Sequence, residues 1–339
     1  MPDIKPYISI VIPTFNRSTK LSRCLNSLFN QTYPKDRYEI IIINDGSTDD
    51  TENILKEFKK KATCSFSWFS QKNQGIASAT NAGVLKSKGE IICFTGDDCI
   101  AEKDWIENLV KGFVDDKVGA VGGNVVGYQA ITPIQQYAED AQIVNQERFM
   151  IKNKLITGSA AYRRQILTDI QGFDNHLNAC VDVDVSIKTQ LLGYTLNYMP
   201  EAIVYHDHPA TIKNLFSQQY RNGIGFVRLH QKYNIKYNLA YNTIIFGFRI
   251  LVIILYYPFT LLSALISKKN KYFVLKPLYE VIRSSALTLG IVRETIFGKG
   301  YAGNRIQSRV DFIEFMDDKS IFYLWEKIKK RYMNKFSSK

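Results

Sequence analysis

Glu90-Ile91-Ile92-Cys93-Phe94-Thr95-Gly96-Asp97-Asp98-Cys99 is an apolar run that stops abruptly at two adjacent carboxylates. The run predicts a buried strand over residues 91–95, with an end that opens onto a loop where ligand and solvent have access. Two carboxylates on one strand edge either repel each other or share a hard divalent cation. Taken alone, the pair reads as an ordinary solvated turn. The segments before and after it decide otherwise.

Working outward, Ile8-Ser9-Ile10-Val11-Ile12 predicts a strand closed by Pro13, and Leu21, Leu25 and Leu28 follow at helical spacing. Residues 39–43 predict a second buried strand, followed by Asn44-Asp45-Gly46-Ser47 and a helix carrying Ile54, Leu55 and Phe58. A third short strand falls at 66–69 and a helix of small residues at about 75–86. After Asp98, Trp105, Ile106, Leu109 and Phe113 share one helical face. This alternation predicts an α/β fold with a mostly parallel, Rossmann-like central sheet flanked by helices. Ligands of such sheets bind beyond the carboxyl ends of the strands, so Asp45, Asn73, Asp97 and Asp98 should converge on one edge. Further strands are expected near 118–122, 155–161 and 196–205, with a helix over 184–192.

The chain has 339 residues, enough for one large α/β domain with an appendage. The expected division is an α/β domain at 1–235 and a hydrophobic, basic, helical membrane-associating region at 236–339. The net charge of +12 is uneven: from residue 268 on there are 16 Lys and Arg against 7 Asp and Glu. No nucleic-acid module accompanies that basic tail, so an anionic membrane surface is the expected partner rather than a nucleic acid. Five cysteines without Cys-x-x-Cys spacing argue against a disulfide framework or zinc site and for a reducing compartment. No basic-then-apolar leader precedes the first strand, so no cleavable signal is expected.

Val11-Ile12-Pro13-Thr14-Phe15-Asn16-Arg17, Ile43-Asn44-Asp45-Gly46-Ser47-Thr48-Asp49, Asn73-Gln74-Gly75 and Asn81-Ala82-Gly83 come in an order that resembles the inverting family 2 glycosyltransferases. Asp97-Asp98, Gly172-Phe173-Asp174 and Val181-Asp182-Val183-Asp184 continue the match, which spans roughly residues 7–230. The resemblance implies the nucleotide-diphosphosugar transferase fold of the GT-A type. It also implies a nucleotide-sugar donor carried on UDP, a glycan or lipid-linked hydroxyl acceptor, and a bound Mg2+ or Mn2+.

The same resemblance places the nucleoside over Pro13, Thr14 and Phe15, with Asp45 reading the base and Gly46 allowing close backbone approach. Phe15 has two readings, stacking on the base or filling the core. Arg17 also has two, steering phosphate or standing as a helix-start surface charge. Asn73, Thr80 and Asn81 belong to the second donor loop and helix, Asp97 to the ribose–phosphate region, and Asp98 to the metal. His206 either completes the metal site or is a capped surface histidine beside Asp207 and His208. Asp182 matches the catalytic base, and Asp184 reads as a helix-start acid.

Three positions depart from the family pattern. Thr80 stands for an Arg, Gly96 for the first acid of Asp-x-Asp, and Val181 for the Glu before the base. These losses motivate a rival reading, a catalytically impaired nucleotide- or carbohydrate-binding relative on the membrane. A sugar-nucleotide pyrophosphorylase would need a Gly-rich, basic triphosphate loop, which Pro13-Thr14-Phe15-Asn16 does not supply.

Residues 244–266 carry a single charge, Arg249, and Pro258. Lys232 and Lys236 precede this stretch and Lys268, Lys269 and Lys271 follow it, which disfavours a simple crossing. Interfacial or re-entrant attachment on the cytoplasmic face of the membrane is expected. Residues 272–297 read as an amphipathic interfacial helix, and the soluble alternative for the two stretches is a buried helical hairpin capping the catalytic domain.

Overall fold

The computed structural model describes residues 5–235, 239–266 and 271–306. Its first half follows the expected alternation: β1 (Ile8–Thr14), α1 (Ser18–Phe29), β2 (Tyr38–Asn44), α2 (Thr51–Lys61), β3 (Ser65–Ser70), α3 (Ile76–Lys86) and β4 (Ile91–Thr95). Then come β5 (Cys99–Ala101), α4 (Trp105–Lys111), β6 (Val118–Gly127), α5 (Pro133–Asp140), α6 (Gln146–Met150), β7 (Ser159–Arg163), α7 (Arg164–Asp169), α8 (Val181–Leu191) and β8 (Thr195–His206). Three helices close the described chain: α9 (Ile212–Lys232), α10 (Leu239–Ile266) and α11 (Lys271–Phe297).

The strands form one sheet in the order β3-β2-β1-β4-β7-β6-β8-β5. Strands β1 to β4 are parallel, as expected. Beyond them the sheet is mixed, because β7 runs antiparallel to both β4 and β6, and β5 antiparallel to β8. The mostly parallel expectation therefore holds fully in the first half, and in the second only for β6 and β8, which pair in parallel. Apolar pattern reports burial but not direction, so it could not show that β7 and β5 run against their neighbours.

Alternation along β1 explains the layers. Ile8, Ile10 and Ile12 pack with Leu21, Leu25 and Leu28 of α1, each burial contributing about 1.5–3 kcal/mol. Ile41 and Ile43 of β2 face Ala79 and Ala82 of α3, where small residues let the helix lie close. Trp105 is fully buried, and its indole Nε1 donates to Ser159 Oγ at 2.9 Å.

The chain runs from β1 outward through β2 and β3, then returns to set β4 on the other side of β1. The gap beyond the ends of β1 and β4 is thus a topological switch point, where sheets of this kind receive ligands. Because β7 is antiparallel to β4, with Thr95 opposite Ser159, its start lies where β4 ends. That pairing brings residues 157–158 to the same edge.

The helix α11 packs against α9 and α5. Three of its charges are spent on contacts within the protein: Glu280 and Arg283 meet Tyr137, and Glu294 pairs with Arg228 at 2.8 Å. Of the buried capping hairpin, only this second helix, among the described residues, packs on the domain as that reading requires. In contrast, α10 leaves Ile244, Phe248, Leu251, Ile254, Leu255, Phe259 and Leu262 exposed. Among the described residues no helix is long and apolar enough to cross a membrane. Lys236, Lys268, Lys269 and the chain from 307 onward lie outside the described residues.

Candidate active site

At the switch point Thr14 Oγ1 donates to Asp97 Oδ2 at 2.8 Å. Arg17, from the loop after β1, reaches Asp97 Oδ1 at 2.9 Å and Asp98 Oδ2 at 2.5 Å. Neither sequence reading of Arg17 anticipated this: its guanidinium bridges the two carboxylates and supplies the charge that lets them sit side by side. Burial, and then the neighbouring Asp98, push the Asp97 carboxyl above the usual carboxylate range despite Arg17. Burial would raise Asp98 too, but His206, Arg17 and Lys20 outweigh it and hold that group below the usual range.

His206 ends β8 opposite Cys99 of β5, a register that carries its ring to Asp98. Its Nε2 lies 3.7 Å from Asp98 Oδ1 with only 12% of the side chain exposed, so the reading as a capped surface histidine does not hold. Burial lowers its pKa against the pull of Asp98. Gly96 leaves this arrangement room, since a Cβ there would lie 2.5 Å from Asp98 Oδ1.

Among the described residues no group of three or more His, Cys, Asp or Glu is arranged to hold a metal ion. Asp98 and His206 provide one oxygen and one nitrogen donor, too few for a closed protein cage. A cation that keeps most of its coordination for diphosphate oxygens and water needs only one or two protein ligands, and this pair fits that chemistry.

Asp45 is buried at the end of β2 and is more occupied than its sequence reading implied. Its Oδ1 accepts from Gln71 Nε2 at 2.7 Å and the Gln74 amide at 2.9 Å, and its Oδ2 accepts from the Gly75 amide at 2.9 Å. The carboxylate thereby ties the 71–75 loop to the sheet and keeps about one of its four lone-pair sites for a ligand. Asn73 is exposed on that loop. Gly46 turns with φ +81°, and a Cβ there would meet the Asn73 amide nitrogen at 2.8 Å. Pro13 is half-buried, and Phe15 is 43% exposed, so its ring is not a core plug.

Two expected donor-loop residues face elsewhere. Thr80 is buried, and its hydroxyl donates to the Ile76 carbonyl one turn back at 2.7 Å, a common use for a threonine within a helix. Asn81 donates to the Phe173 carbonyl at 2.7 Å and accepts from the Phe173 amide at 2.8 Å. Its amide is therefore spent as a clasp between α3 and the 172–175 loop.

Asp182 lies in the first turn of α8, entered through Cys180 at φ +60°. The half-buried carboxylate accepts from the Val183 amide at 2.9 Å and from the amide of Thr157. Burial nevertheless raises its pKa, these amides offsetting only part of the effect. Thr157 directly precedes the 158–159 segment beside the end of β4, where Thr95 Oγ1 donates to the Gly158 carbonyl at 2.9 Å. The raised carboxylate and the Asp97–Asp98 pair thus share one end of the sheet.

Asp184 is a first-turn acid of α8, as the sequence suggested, but its carboxylate does more than face a helix start. It is fully buried, accepts from the Tyr233 hydroxyl at 2.8 Å, and pairs with Lys232 at 2.7 Å and Lys188 at 3.3 Å. Lys232 also reaches Asp174 at 2.6 Å, so α9 holds both α8 and the 172–175 loop. Sequence reasoning missed Lys232, Glu139 and His208 as site-supporting residues. Only the His-Asp-His run at 206–208 hinted at any of them.

The profile described as glycosyl transferase family 2 matches residues 9–171, and that of glycosyl transferase family group 2 matches residues 96–278, more than half of the chain. The chain is 29% identical over 232 residues to the glycosyltransferase AglE of Haloferax volcanii, covering 68% of this chain and 76% of the relative. It is 30% identical over 222 residues to a poly-beta-1,6-N-acetyl-D-glucosamine synthase of Staphylococcus epidermidis, covering 63% of this chain and 53% of that one. The mannosyltransferase PcManGT of Pyrobaculum calidifontis, solved with GDP-Man and Mn2+, superposes with a TM-score of 0.56 at 18% identity, over 87% of this chain and 74% of its own. This likeness shows the fold. With the ordered motifs and the switch-point site, these matches show that the chain belongs to glycosyltransferase family 2 and is a glycosyltransferase.

Proposed function

We propose that this glycosyltransferase moves a sugar, with inversion, from a UDP-linked donor to a hydroxyl on a growing glycan or lipid-linked acceptor. The observation that carries this reading is the shared sheet end, which holds both a half-buried carboxylate of raised pKa, Asp182, and the Asp97–Asp98–His206 group. Relatives named for polysaccharide synthesis support the acceptor class.

In the proposed step the acceptor oxygen bonds to the anomeric carbon from the face opposite the diphosphate. The anomeric carbon–oxygen bond to phosphate breaks, and the hydroxyl proton passes to Asp182. A carboxylate that burial makes more basic is suited to that transfer. Asp98 and His206 would hold a Mg2+ or Mn2+, which when bound neutralises charge building on the departing diphosphate. Asp97, fixed by Thr14 and Arg17, stays oriented toward the ribose and phosphates. Asp45 keeps the 71–75 loop folded against the base.

The exposed apolar residues of α10 support attachment to a membrane surface, for which we take the cytoplasmic face. A UDP-release assay over a panel of UDP-sugars, with Mn2+ or Mg2+ and a lipid-linked acceptor, tests the reading. Acceptor-dependent release is expected. UDP binding with no turnover on any acceptor would instead establish a binding protein.

A further inference from the structure

Behind His206 a hydrogen-bond chain leads away from the Asp98 edge. His206 Nδ1 lies 3.2 Å from His208 Nδ1, and His208 Nε2 lies 2.9 Å from Glu139 Oε2 on α5. His208 is only 2% exposed, so these ring contacts are not replaced by water. The chain ends on an ionised carboxylate, which can only accept. His208 must therefore carry a proton on Nε2, and a neutral ring then offers Nδ1 as an acceptor. With His208 in that neutral form, the proton between the two rings belongs to His206 Nδ1, and His206 Nε2 keeps its lone pair on the side of Asp98.

We propose that Glu139 and His208 are positioning residues that fix the tautomer of His206, presenting Nε2 to a divalent cation shared with Asp98. This rests on the metal reading above and adds to it the residues that prepare the nitrogen ligand. Metal-bound histidines generally give their second N–H to such a partner, and the partner fixes ring orientation and basicity.

The surroundings favour the relay. Gly127 pairs with His206 across β6 and β8, and its amide also donates to the Glu139 carboxylate. A Cβ at Gly127 would lie 2.1 Å from Glu139 Oε2 and 3.2 Å from His208 Cδ2, so the absence of a side chain there gives the carboxylate its seat. Asp207 is held from α5 by Gln135 at 3.1 Å and from α1 by Arg23 at 2.7 Å, which keeps the 206–208 segment in place. The next residue of α5, Asp140, is anchored to Lys276 of α11 at 2.6 Å.

The chain has four histidines, so imidazole nitrogen NMR can resolve each ring. In the metal-free wild-type protein, the proton of His206 is expected on Nδ1 and that of His208 on Nε2. A His206 proton on Nε2 would overturn the proposal. Mn2+ affinity, read by electron paramagnetic resonance with UDP present, is expected to weaken about 10–100-fold in Glu139→Ala and again in Gly127→Ala. UDP affinity without metal should be unchanged in both. If wild type binds Mn2+ and Glu139→Ala binds it equally well, the relay is wrong while the metal reading stands. If wild type takes up no Mn2+, the metal reading fails and the proposal with it.

Discussion

Thr14 and Asp97 are joined by a 2.8 Å hydrogen bond that spans the switch point between β1 and β4. One hydroxyl thus connects the end of the first strand to the carboxylate pair. Thr14→Val keeps the shape and removes the donor, leaving a buried carboxylate partly unsatisfied. Loss of about 1.5–3 kcal/mol is expected from urea unfolding, the range for a hydrogen bond to a charged group. An unchanged midpoint would mean that Arg17 alone satisfies Asp97.

Asp98→Ala should abolish the Mn2+-dependent part of the thermal stabilisation by UDP while leaving the metal-independent part. A saturating ligand at about a hundred times its Kd stabilises by about 2.7 kcal/mol, well within the reach of a melting experiment. Equal Mn2+-dependent shifts in wild type and variant would remove Asp98 from the metal site.

Asp184→Ala should act on the fold. It takes the counter-ion from half-buried Lys188 and leaves Lys232 with Asp174 alone, and about 3–5 kcal/mol of stability should be lost. Chemical unfolding checks this. A cost below 1 kcal/mol would mean that the buried pairs add little to the role of a helix-start acid.

Asp182→Asn should lower transfer about 10²–10⁴-fold with donor affinity intact. Near wild-type turnover would place the base elsewhere. The raised pKa of Asp182 adds a pH test. A carboxyl raised in the folded state favours its protonated form there, so its contribution is complete below the unfolded value and is lost as pH rises through the folded one. Asp182→Asn should therefore be more stable than wild type at neutral pH, with the difference vanishing at acid pH. The wild-type rate should fall, on acidification, at a pH above the ordinary aspartate range.

Phe248→Asp combined with Phe259→Asp should release the protein from anionic lipid vesicles in a co-sedimentation assay without altering turnover on a soluble acceptor. Both side chains are exposed on α10, at 53% and 68%, so the fold should tolerate the exchange. Undiminished vesicle binding would shift the attachment to other residues.

Period and order of residues in the sequence were enough to determine the βαβ alternation through β4, the strand-end position of Asp45 and Asp97-Asp98, and the family. These are local properties: apolar pattern reports burial, and a turn after a strand reports an edge. Only the tertiary structure decided how polar groups were shared among distant segments. It turned Thr80 back onto its own helix, spent Asn81 on Phe173, loaded Asp45 with the 71–75 loop and used Arg17 as a counter-ion for two carboxylates. It also drew Asp184 and Lys232 together from α8 and α9, and aligned Glu139 behind His208 and His206. A buried polar group must find a partner wherever the fold supplies one, and a partner 49 or 69 positions away leaves no periodic trace in the chain.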